Sequence, residues 1–262
     1  MKIEICDAVT TGPNPVWHDS IWACQTAIVI RAVTIDAHGV LLLPDPTAIN
    51  AVLEHFSCRT DEATCWKAHY RMIRLLDLAA NPDWPTMNRS FAEALGVKPS
   101  DQVEAGAMLA DRIYLGTAWI SAPGAAAALE KLTESGLRAA IVSNTIRGEL
   151  AELLSRTGMC QVGGGLAPVA AIIDSRVVGI AKPDPRPFQM ALGALNEPAT
   201  NVVHVGDSLH SDVVGALGVG MSVVHIDPLN LCADHHHEHS YSFEDFVNSL
   251  IEQKKKVHLE DG

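Results

Sequence analysis

The feature that most constrains this fold is an apolar, β-branched run at residues 27–35 that stops abruptly at Asp36. A short continuous apolar run fits a strand buried on both faces, as in parallel sheets covered by helices. The signature returns at residues 137–142, 168–173, 201–205 and 221–226, with helix-length segments between the runs. Gly136 and Gly158 close two of those segments, and Pro185 opens another. Strands alternating with helices imply a parallel sheet. The expected fold is α/β: an open, Rossmann-like, five-stranded core with helices on both faces.

One block breaks the alternation. Between residues 44 and 119, Trp66, Tyr70 and Ile73 recur at helical spacing, and Pro82 and Pro85 interrupt them. A second pattern starts near Met87 and ends at Gly96 and Pro99. This predicts three or four helices inserted after the first strand, with strand signals resuming only after Pro123. The expected organisation is an extension at 1–25 carrying Trp17 and Trp22, a core at 26–43 and 120–253, a cap at 44–119 and a tail at 254–262. A last amphipathic helix is expected at 243–253.

Composition bounds the function. Apolar residues make up 48% of the 262 positions, enough for a sizeable core. Acidic groups outnumber basic ones 31 to 19, a balance that argues against non-specific nucleic-acid binding. It leaves room for a small anionic substrate, because a local site can carry the opposite field. No apolar stretch reaches the roughly 18 residues needed to span a bilayer, and no Sec-type leader is evident. The six cysteines form no CxxC pair and read as reduced, structural thiols in a cytoplasmic chain.

In an open parallel sheet, ligands bind beyond the carboxyl ends of the strands. The polar residues expected there are Asp36, then Ser143 and Asn144, then Asp207, with Lys182 in a preceding loop. Two carboxylates, a hydroxyl and an ammonium in one crevice make a site for Mg²⁺ beside an oxyanion. Lys182 would neutralise the aspartates and the anion, and Ser143 would donate to it.

The ordered segments IDAHG (35–39), IVSNT (141–145), AKPDPRPF (181–188) and HVGDSLHSD (204–212) resemble the four motifs of the haloacid dehalogenase superfamily. The likeness covers roughly residues 30–230. It implies Asp36 as nucleophile, forming an aspartyl-phosphate. It implies Ser143, Asn144 and Lys182 as substrate contacts. It implies Mg²⁺ held by Asp36, the His38 main-chain carbonyl and Asp207, with Asp212 in support, and a helical cap that excludes water.

Two positions depart from the family's phosphatase pattern. His38 stands where a second Asp acts as acid and base, and Val40 stands where a Thr is usual. Imidazole suits proton transfer near neutral pH, so His38 is either a substitute acid/base or a filler of the site mouth. Three readings follow: a phosphatase biased toward substrates whose leaving group departs unaided, a weak or inactive relative that binds a ligand or partner, or a dehalogenase or phosphonatase-like hydrolase. The phosphonatase-like option would need a cap lysine, Lys67 or Lys98. Arg59, His69, Arg71 and Arg74 read as a solvated helix face or an anion-pocket lining. The tract His235 to His239 reads as a polar loop that binds metals loosely. Oligomeric state is left open.

Overall fold

The computed structural model describes residues 29–78 and 83–260, with side chains to residue 256. The extension at 1–25, with its tryptophans, Cys6 and Cys24, lies outside the described residues, as does Pro82.

The described residues open with β1 (Ala32–Ile35) and a short β2 (Leu42–Pro44). Four helices follow: α1 (Pro46–Leu53), α2 (Glu62–Leu78), α3 (Trp84–Ala94) and α4 (Gln102–Ile113). After β3 (Trp119–Ser121) come α5 (Ala125–Glu134), β4 (Arg138–Ser143) and α6 (Leu150–Arg156). Next are β5 (Cys160–Val162), β6 (Ala167–Val169), β7 (Ile172–Asp174), α7 (Ser175–Val178) and α8 (Pro185–Leu195). The chain then forms β8 (Val202–Gly206), a wide π-type turn at Leu209–Val214, α9 (Gly215–Gly218), β9 (Ser222–Ile226), β10 (Glu238–Ser240) and α10 (Phe243–Glu260).

The main sheet is parallel throughout and runs β10-β9-β8-β1-β4-β7. It holds six strands, not the expected five. The sixth, β10, is too short and too polar to read as a buried strand. The run at 168–173 also divides: β6 pairs with β5, and β7 pairs with β4. Strand alternation sorts the interior into two layers. Val33, Ile35, Ala139, Ile141, Val203, Val205, Val224 and Ile226 share one apolar cluster with α5 and α10. Ala32, Ala140, Val142, Val202 and Val223 face Phe188, Ala191 and Leu195 of α8 on the other side.

Among the described residues the insertion holds four α-helices, within the three or four expected. Pro85 opens α3 instead of breaking a helix: Asp83 caps it by accepting from Thr86 N at 2.7 Å. Asp45 and Asp184 cap α1 and α8 in the same way, each just ahead of a proline. An unexpected antiparallel pair, β2 with β3, forms the stem of the cap. Strand signals therefore resume before Pro123, but three-residue strands lack the length for a readable period. The last helix continues to Glu260, so residues 254–260 are helix and not tail. The helix-length segment between β8 and β9 divides into the π-type turn and α9. No helix among the described residues is long and apolar enough to cross a membrane.

Candidate active site

Strand β1 lies between β4 and β8, and the chain leaves β1 toward one edge and β8 toward the other. This reversal opens a crevice at the strands' carboxyl ends, where ligands bind in such sheets. Asp36 follows β1 and Asp207 follows β8, so both carboxylates arrive at the crevice directly. Asp36 N donates to Val205 O at 2.8 Å, which extends the sheet pairing to Asp36.

Lys182 joins these groups. Its Nζ lies 3.0 Å from Asp36 Oδ1 and 2.5 Å from Asp212 Oδ1, and donates to Val142 O at 2.7 Å. Burial alone would lower its pKa, but Asp212 and Asp36 outweigh burial and hold the ammonium above its ordinary value. Asp212 is fully buried. Burial pushes its carboxyl up, yet Lys182 and His204 hold it well below the usual range. His204 Nε2 is 3.0 Å from Asp212 Oδ1, and its Nδ1 is 2.9 Å from Thr34 Oγ1. Asp212 Oδ2 accepts from Ser208 N at 3.1 Å. Asp212 is thus a tethered counter-charge whose oxygens are already engaged, in keeping with a supporting role.

Asp207 is different. Its Oδ2 is buried and has no hydrogen-bond partner. Burial first, then Asp36 and Asp212, push its carboxyl well above the ordinary range. Gly39 is pressed against it at φ +78°, where a Cβ would sit 1.8 Å from Asp207 Oδ2. Oxygens of Asp36, Asp207 and Asp212 lie within 4.8 Å of one another. Three buried carboxylates against one ammonium leave a negative surplus, and a hard divalent cation is the chemistry that removes it. An octahedral Mg²⁺ shell at about 2.0–2.1 Å sets its oxygens about 2.9 Å apart when adjacent and about 4.1 Å apart when opposite, inside that limit. The acidic residues present therefore fit a divalent cation such as Mg²⁺, which Asp36 and Asp207 would hold with Asp212 behind them.

The remaining expected residues separate. Ser143 is buried, with Oγ 3.4 Å from His38 Nδ1. Asn144, expected to touch substrate, uses its amide on Lys182: Nδ2 donates to Lys182 O at 2.9 Å, and Oδ1 accepts from Lys182 N at 2.8 Å. It positions the lysine. His38 is half-buried and edge-on to Trp119, with ring centroids 4.4 Å apart. Burial lowers its pKa, Asp36 opposes this and Lys182 adds to it. Val40 packs in the apolar cluster and offers nothing to the crevice.

The cap brings further groups to the site. Tyr70 donates to Gly39 O at 2.7 Å. His69 Nδ1 lies 3.0 Å from Tyr114 Oη, and its Nε2 faces Asp207 Oδ2 at 3.5 Å. Burial first, then His38, push the His69 ring down to about 3, so it is neutral. Asp77, near the end of α2, accepts from Ser208 Oγ, Leu209 N and His210 N at 2.8, 2.9 and 3.0 Å. Of the four cap residues with two readings, His69 lines the site. Arg59 instead pairs with Glu54 in solvent, and Arg71 is exposed. Tyr70 was readable only as part of a helical pattern, and for His69 the pattern could not choose between a solvated face and the pocket.

A cleft of about 410 Å³ opens over these groups. Its floor holds Asp36, His38, Lys182 and Asp207, and its wall carries Met72, Ile73, Leu76, Trp84 and Ile146.

Residues 30–220 match the family haloacid dehalogenase-like hydrolase. Haloacid dehalogenase-like hydrolase domain-containing protein 3 of Xenopus laevis is 34% identical over 51% of this chain and 52% of its own length. Ribulose-1,5-bisphosphate 5-phosphatase of Halopiger xanaduensis is 35% identical over 45% of this chain and 50% of its own length. The chain thus spans about half the length of these curated relatives. A Bacillus subtilis HAD-hydrolase structure bound to magnesium superposes at a TM-score of 0.56, with 17% identity over 85% of this chain and 99% of that one, a likeness of fold. The match over most of the chain, on a parallel sheet that gathers four separated motifs at one crevice, places this protein in the haloacid dehalogenase-like hydrolase family.

Proposed function

We propose that the protein is a Mg²⁺-dependent phosphatase acting on a small phosphorylated metabolite through an aspartyl-phosphate on Asp36. The observation that carries this is the pairing of Asp36 with Lys182 beside the unpartnered oxygen of Asp207. A carboxylate oxygen of Asp36 attacks phosphorus, and the bond from phosphorus to the leaving oxygen breaks. Water then attacks the same phosphorus, which releases phosphate and restores the carboxylate. Lys182 offsets charge on the transferring oxygens, and Ser143 donates to one of them. Mg²⁺ bound by Asp36, Asp207 and the His38 carbonyl supplies Lewis-acid charge at the phosphoryl group.

No second carboxylate follows Asp36 to protonate the leaving group. Loss of such an acid typically costs about 10²–10⁴ in rate, and the loss falls hardest on poor alkoxide leaving groups. Aryl and acyl phosphates depart without help. The apolar cleft wall suits a leaving group with an apolar body. The test is phosphate release from an aryl phosphate with Mg²⁺, compared with Asp36→Asn. Release that requires Mg²⁺ and disappears in Asp36→Asn supports the reading; equal release from the variant ends it.

A second reading has one observation in its favour. His38 is wedged between Ser143 and Trp119 at the position of the missing acid, as a residue that fills a binding site would be. On that reading the chain shows no turnover above background, yet Mg²⁺ with phosphate raises its unfolding temperature.

A further inference from the structure

On the far side of Asp207, a second group of side chains converges without any part in the site above. His225 lies in β9, His239 in β10, His237 just before it, and Cys232 in the connecting loop. The sequence suggested only a loose polar tract here. In the fold, His225 and His239 are register partners in neighbouring parallel strands. His225, Cys232 and His237 are buried, and His239 is exposed. We propose that His225, Cys232, His237 and His239 form a second metal site that takes a zinc-class divalent ion.

The distances carry the assignment. One potential ligand atom from each residue lies within 4.8 Å of every other. His237 Nε2 is the hub: His239 Nε2 is 2.9 Å away, His225 Nδ1 3.4 Å and Cys232 Sγ 3.7 Å. A tetrahedral zinc ion with bonds of about 2.0–2.1 Å to nitrogen and about 2.3 Å to sulfur separates its nitrogens by about 3.3 Å, and nitrogen from sulfur by about 3.6 Å. The pairs to His225 and Cys232 already have those separations. The His237–His239 pair needs to open by a few tenths of an ångström, and His239 sits at the exposed edge where it can.

The chemistry agrees. A neutral imidazole nitrogen either donates one hydrogen bond or offers one lone pair, so a single His237 nitrogen cannot satisfy three neighbours. A cation at the centre accepts from all of them. The outer nitrogens are arranged for that role. His225 Nε2 is 3.0 Å from Asp207 O, which leaves Nδ1 as the inward lone pair. Asp234 Oδ2 lies 3.8 Å from His237 Nδ1, on the side away from the hub. Asp227 holds the loop by accepting from Leu231 N at 3.0 Å and Cys232 N at 2.7 Å. Four protein ligands with one thiolate make a closed, structural type of site. Binding releases the Cys232 thiol proton to solvent and forms four bonds to the ion. It would fasten β10 and the 227–237 loop to β9, and through His225 to the main chain of Asp207.

The experiment uses the full chain without an affinity tag, stripped by chelator and then titrated with zinc against a chromophoric chelator. Cobalt(II) serves as the spectroscopic probe. Expected are one zinc per chain, a rise in unfolding temperature, and a cobalt spectrum with tetrahedral visible bands and a thiolate charge-transfer band. Cys232→Ser should abolish the charge-transfer band. His239→Ala, at the exposed position, should weaken zinc at least about 10²-fold, since loss of a direct ligand exceeds the 10–100-fold effect of an outer partner. Asp207→Asn and the double variant His235→Ala/His236→Ala should both retain zinc. Failure of the unaltered chain to bind one zinc overturns the proposal. So does unchanged affinity in His239→Ala together with an unchanged cobalt spectrum in Cys232→Ser, or loss of zinc in either control.

Discussion

Replacing Lys182 with methionine removes the cation on which the site's charges depend while keeping most of the side-chain volume. Lys182 is 4% exposed and bridges Asp36 and Asp212, with a third bond to Val142 O. Methionine leaves two carboxylates and a carbonyl facing an apolar stem. Breaking a buried pair by deleting one partner typically costs about 3–5 kcal/mol, because the surviving charge stays desolvated. Here two carboxylates survive, with Asp207 close by, so the upper half of that range applies. Domains of this kind are stable by about 5–15 kcal/mol, and the variant should remain folded but with much of that margin gone. Urea unfolding at pH 7, with the slope unchanged, should show a loss of about 4–5 kcal/mol. The loss should barely change with added salt, since buried charges are weakly screened. Adding Asp212→Asn to Lys182→Met should recover part of it. A loss under about 1 kcal/mol, the size seen for exposed pairs, would refute this view of the site's electrostatics.

Three further outcomes follow from the geometry. His38→Asp should raise turnover of alkyl phosphates by about 10²-fold or more while changing aryl phosphates little; equal gains on both would show that leaving-group protonation is not what the site lacks. Asp77→Ala strips the acceptor from three donors at the start of the π-type turn and should cost about 1–2 kcal/mol in urea unfolding, as helix-cap losses do; no change would mean that this contact between cap and core is not formed in solution. Burial pushes the Cys160 thiol up to about 12 from an ordinary 9.0. The unfolded chain therefore loses that proton first, and stability should fall above pH 9 by up to about 1.4 kcal/mol per pH unit from this group. Cys160→Ala should show a correspondingly shallower alkaline slope, and an identical slope would exclude the effect.

The parallel α/β core and the gathering of polar residues at its strand ends follow from features that are local in sequence. Five of the six main-sheet strands fall on the apolar runs, and Asp36, Ser143 and Asp207 end or directly follow such runs, so their place at the crevice comes from topology alone. Features that depend on contacts across the chain were not legible. The β2–β3 stem consists of two three-residue strands more than 70 residues apart. Tyr70 belongs to an ordinary helical pattern, and His69 keeps two readings, until α2 is docked over Gly39 and Asp207. Asn144 looked like a substrate contact because it stands beside Ser143, yet its amide is paired with Lys182, 38 positions away. The His235 to His239 tract looked like loop because β10 has only three residues, and its partners His225 and Cys232 lie outside the tract.

The central claim is that Asp36 takes the phosphoryl group onto its own carboxylate. The direct measurement is to mix the enzyme with Mg²⁺ and a radiolabelled aryl phosphate, quench in acid during turnover, and map the label by proteolysis. The account predicts an acid-stable, hydroxylamine-labile label on the peptide carrying Asp36, and none in Asp36→Asn. Rapid phosphate release with no labelled enzyme at any time of quench, or a label on another residue, would contradict it.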